Sequence, residues 1–180
     1  MPIKEIQVQR FSVTSKRSFD EVVAALHAAI GHTDVRALTQ EISQSKNLAE
    51  METIIHKVVD PSGLMEFVRF DLGDVVRKEQ PAVPRSLRLV AGNPLIMKEM
   101  VKRVPDAGSY APVTILIDER PDGVHLSYDR MASFLASYGN PEALKVAEDL
   151  DAKVEAVLTK AANASKESAA AELLPSTITN

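Results

Sequence analysis

Gly-Asn-Pro occurs twice, at 92–94 and at 139–141, each time where the chain turns into a stretch that reads as a helix. The first copy follows the apolar run "SLRLVA", so it marks a strand-to-helix junction. Such a junction aims free backbone N–H groups and the positive end of the helix dipole forward, a setting suited to a phosphate or carboxylate. The same residues also satisfy helix capping. Asn accepts a bond from an orphan backbone N–H, and Pro at the first helical position removes no bond the helix would make. Gly139-Asn140-Pro141 is read as a cap. Gly92-Asn93-Pro94 is read both as a cap and as a candidate anion site, although no Lys or glycine-rich loop completes a phosphate-binding pattern there.

Three further residues near strand ends join Asn93 as a candidate ligand-binding set: Tyr110, His125 and Tyr128. His125 alternates with Val124 and Leu126, which puts it on the opposite sheet face from them. It is read as a solvated strand residue or as a cleft wall. Glu52 and His56, four residues apart, share a helix face, but two ligands do not make a metal site and no His or Cys pair completes them. Asp71, Asp118, Glu119 and Asp129 have no spacing that pairs them for general acid and base work. No catalytic residue, metal ligand or cofactor is therefore assigned, and an enzyme with an Asp or His base stays an alternative.

The elements that position these residues can be read from periodicity. Residues 3 to 13 alternate with a change of phase near Arg10, which predicts a strand with a bulge or break. Ser18 with Glu21 forms a capping box for a helix carrying Val22, Val23, Leu26 and Ile30, and Gly31 is expected as its left-handed cap. Leu48, Met51, Ile55 and Val58 predict a second helix within 34–60, ended by "DPSG". "LMEFVRFDL" and "LRLVA" read as strands separated by the proline-rich loop "EQPAVPR". Val113 to Ile117 and Val124, Leu126, Tyr128 read as a hairpin around Asp122-Gly123. Asp129 is placed to cap a short helix at Met131 to Tyr138. A long helix from Pro141 to about Ala162 then carries Leu144, Ala147, Leu150, Val154, Val157 and Ala161 along one side.

The totals narrow the function classes. At 180 residues, with 45% hydrophobic and 26% charged, the chain is long enough for one domain with a sizeable core. A formal charge of −4 with Lys and Arg scattered gives no footprint for a nucleic-acid backbone. No cysteine is present, which excludes disulfides and thiolate chemistry. No apolar run approaches a membrane span and no signal segment opens the chain, so a cytoplasmic location is expected.

The stretch "RLVAGNPLIMKEMVKRVPDAGSYAPVTILIDERPDGVHLSYDR" resembles the domain-of-unknown-function family 302 of bacteria and archaea. The resemblance rests on Gly92, Asn93, Pro94, Pro105, Pro112 and Tyr128, and covers about residues 3 to 160, with 33–60 as an insertion. It implies an α+β fold of two layers, a curved, mainly antiparallel sheet with helices on one face, and no activity that could be carried over. The expected organisation is a single domain over 1–162 and a mobile C-terminal tail over 163–180. A small two-layer domain leaves a sheet face or edge to cover, so a homodimer is expected. The function expected is binding of a small apolar or anionic molecule. The alternatives are a structural or partner-binding module docking through an exposed stripe at Leu150, Val154 and Val157, and the enzyme above.

Overall fold

The computed structural model describes residue 3, residues 5–59 and residues 62–163. The expected tail, save Asn163, lies outside the described residues. Strand β1 (Arg10–Ser15) leads into α1 (Phe19–Ala29), whose capping box forms as its sequence demands: Ser18 Oγ accepts from Glu21 N–H and Glu21 accepts from Ser18 N–H. Two helices follow, α2 (Val35–Gln44) and α3 (Leu48–His56), capped by Asp34 and Asn47. Then come β2 (Met65–Asp71), α4 (Leu72–Arg77), β3 (Ser86–Gly92) and α5 (Pro94–Val101). The hairpin β4 (Val113–Arg120) and β5 (Gly123–Asp129), the short α6 (Met131–Leu135) and the long α7 (Pro141–Asn163) complete the chain.

The five strands form one open antiparallel sheet in the order β1-β5-β4-β3-β2. Because side chains alternate along a strand, Leu89, Ala91, Ile115, Ile117, Leu126 and Tyr128 all point to one face, where they form the core with α1, α5 and α7. Leu150, Val154 and Val157 of α7 are 3%, 0% and 7% exposed, so the long helix offers no free apolar stripe for a partner. The two-layer α+β architecture expected from the sequence is present. Among the described residues, no helix is long and apolar enough to cross a membrane.

Several local expectations are corrected. Of the bulge or break expected near Arg10 the structure has the break, since the first strand begins there and spans only 10–15; a register shift occurs in β2, between Glu66 and Val68. Gly31 is not a left-handed cap, because the chain leaves α1 extended and Gly31 bridges Met65. The polar stretch 34–60 holds two helices rather than one, since Asn47 caps a fresh start by accepting from Glu50 N–H. Helix α4, unforeseen, starts because Asp71 accepts from Asp74 N–H. Gly123, at φ +140°, closes the β4–β5 hairpin against Ser15 O, where a Cβ would clash.

Candidate functional site

On the open face of the sheet, the strand register lines side chains up in rows across strands. One row runs Phe70, Arg88, Leu116, Ser127, Ser12. Beside it stand Val90 with Thr114, and Asp129 with Arg10. From these two rows Arg88, Leu116, Ser127, Thr114, Asp129 and Arg10 line a cleft of about 330 Å3, and Ser109, Tyr110 and Phe134 close its end. The Tyr110 ring stacks on Phe134 at 4.6 Å between centroids, and its hydroxyl lies 2.9 Å from that of Tyr138.

The charges of the cleft are unequal. Arg10 Nε and Nη2 donate to the two carboxylate oxygens of Asp129 at 2.6 and 2.8 Å, a bidentate pair that cancels itself. The Arg10 guanidinium holds the Asp129 carboxyl below its ordinary range. Arg88, by contrast, has no carboxylate partner among the described residues; its one side-chain bond is a long one, 3.4 Å, to Thr114 Oγ1. The cleft therefore carries one uncompensated positive charge beside the hydroxyls of Ser109, Thr114 and Ser127. It can accept a single small anion.

Of the four residues expected to form a site, Tyr110 and Tyr128 border this cleft, and Asn93 and His125 do not. Tyr110 lines the cleft. Tyr128 borders it, but its ring turns into the helix layer, where it is 1% exposed and its hydroxyl donates to Asp151 Oδ1 at 2.5 Å. Burial first, and then that hydrogen bond, push the Tyr128 phenol well above the ordinary tyrosine range. His125 shares the open face but sits in the next row, between Asp118 and Thr14, with Nε2 2.8 Å from Asp122 Oδ1.

Asn93 is the N-cap of α5: Oδ1 accepts from Leu95 N–H at 2.8 Å and Nδ2 donates to Gly63 O at 2.9 Å. Asn140 accepts from Ala143 N–H at 2.9 Å in the same way. Both Gly-Asn-Pro copies thus cap helices, and both ends of the Asn93 amide are engaged within the fold.

Sequence reasoning missed two features. Arg88 gave no signal of its own, because its isolation depends on which carboxylates pair elsewhere. Asp151, 0% exposed, caps α6 from α7 by accepting from Met131 N–H at 2.7 Å and Ala132 N–H at 3.1 Å. It takes the role expected of Asp129, which Arg10 occupies. Glu52 lies 3.9 Å from Lys98 Nζ, and no set of three metal-ligating side chains occurs among the described residues.

An open five-stranded antiparallel sheet with helices on one face and a cleft on the other defines a two-layer α+β fold. The model of the family described as domain of unknown function DUF302 matches residues 38–161, and the chain belongs to that family. The crystal structure of an uncharacterized conserved DUF302 protein from Bacillus stearothermophilus is similar, with a TM-score of 0.59 at 12% identity, over 84% of this chain and 97% of that one. At that identity the likeness concerns the fold. No curated protein matches the chain.

Proposed function

We propose that the protein binds a small organic anion, a carboxylate on an apolar or aromatic body, in the cleft on the open face of the sheet. The observation that carries this reading is Arg88, a guanidinium without an ion-pair partner among the described residues, standing over a cleft whose other charges neutralise each other. Its planar fork matches a carboxylate bidentately. Leu116 and Phe134 offer the ligand body apolar contact. The cleft holds no imidazole and its one carboxylate is engaged by Arg10, so the reading stops at binding and assigns no reaction. A cytoplasmic location is part of the same proposal.

Calorimetry with benzoate tests the proposal. Saturable binding to the wild type is expected, weakened about 10- to 100-fold in Arg88→Gln, which matches loss of one charged hydrogen-bond pair. Neutral benzamide should bind as weakly as benzoate binds the variant. Equal affinity of wild type and variant for benzoate would sink the reading.

A homodimer is a second reading, favoured by Val68, Phe70, Leu72, Val75 and Val76, all exposed along the edge strand β2 and helix α4. A two-fold axis at this edge would bring the patch onto itself. Sedimentation equilibrium should give twice the 19.6 kDa chain mass for the wild type and a monomer for Val75→Glu. A monomeric wild type at high micromolar concentration would remove this reading.

A further inference from the structure

Where β3 passes into α5 lies a second pocket of about 110 Å3, partly open to solvent past the exposed Pro112. Its walls include Phe67 of β2, Pro94, Met97 and Met100 of α5, Pro112, and Leu150 of α7. The register break of β2 falls at Phe67 and lifts it out of the regular ladder, a place where bulges re-aim side chains. Gly92 keeps the space clear: a Cβ there would come to 3.3 Å from Pro112 Cβ and 3.5 Å from Phe67 Cε2. The one polar side chain on the wall, Asn93, has its amide engaged by Leu95 N–H and Gly63 O. The lining is almost wholly apolar, and apolar spaces of this order take up groups such as benzene. Two thioethers and a phenyl ring make the lining soft and polarizable. Native interiors hold few voids larger than a water molecule.

We propose that this cavity is a binding site for a small apolar group about the size of one aromatic ring, and that it excludes groups that need hydrogen bonds. It is distinct from the anion cleft, sharing only Val113 with it and using none of Arg88, Ser109 or Tyr110.

The test is an NMR titration of the full chain, labelled at its methionine methyls, with benzene. The expected result is saturable movement of Met97 and Met100 methyl signals, with Met51 and Met131 unmoved, and at least tenfold weaker binding of phenol, whose hydroxyl finds no partner. Met97→Phe fills the cavity from α5 and should abolish the Met100 response; should that variant fail to fold, Ala111→Val fills it from the other wall. Absence of saturable movement up to the solubility limit of benzene would overturn the proposal. So would movement of the Met51 and Met131 methyls equal to that of Met97 and Met100, or phenol binding as tightly as benzene.

Discussion

Asp151 shows how a single residue holds the helix layer to the sheet. It is fully buried, yet it accepts from Tyr128 Oη–H and from the first two free N–H groups of α6, with Arg130 Nε 3.5 Å away. A buried charge is tolerated only when it is so provided for. Asp151→Asn turns one acceptor oxygen into a donor facing donors. It should cost about 3 kcal/mol, a fall in Tm of roughly 6–12 °C, read by calorimetry.

A histidine contributes to the acid response. His27 stacks on His32 at 3.7 Å, and burial, then the charges of His32 and Arg69, lower its pKa from the ordinary 6.5, against the smaller opposing pull of Glu66. The unfolded chain therefore binds that proton more readily, so the stability His27 contributes is lost as pH falls below about 6.5. Glu99, held at about 2 by Lys102, Arg103 and Lys98, stays ionised throughout that window and does not confuse the result. His27→Gln should flatten the decline in stability between pH 7.5 and pH 5, measured by urea unfolding. An unchanged slope would show that the decline arises elsewhere.

Among the elements, the two Gly-Asn-Pro junctions allow an internal comparison. Asn140 caps α7 by one bond, whereas Asn93 caps α5 and also ties it to Gly63, beside β2. Asn140→Ala should cost about 1 kcal/mol and Asn93→Ala about 2 kcal/mol by denaturant midpoint, with benzoate binding unchanged in both. The elements whose signals are local were legible in the sequence: the Ser18 capping box, the β4–β5 hairpin and the 3.6-residue stripe of α7. What was not legible depends on distant pairing. The split of 34–60 into α2 and α3 turns on one Asn. The extended exit at Gly31 answers to Met65, and the cap of α6 comes from a helix twenty residues further on. The site was less legible than the fold for the same reason. Asn93 was found but serves as a cap, Tyr110 was found at the cleft, and Arg88 could be singled out only once Arg10 and Asp129 were seen to pair.

At the scale of the molecule, one sheet with helices on a single face produces two chemically unlike spaces. The helix side is apolar and borders the small pocket at Met97 and Met100. The open side is wet and gathers Arg88, the three hydroxyls and the Tyr110–Phe134 stack. This division follows from strand alternation: residues of one parity built the core, and those of the other were left to make a surface. The same parity leaves Val68 and Phe70 exposed at the sheet edge, the observation behind the proposed pairing of two copies.

The most direct measurement of the central claim is an NMR titration of benzoate into protein labelled at its arginine side chains. Saturable movement of the Arg88 Nε–H signal, larger than that of Arg10 and with the same midpoint as calorimetry, is the expected result. An Arg88 signal that stays still while benzoate binds would contradict the claim and move the ligand to another part of the molecule.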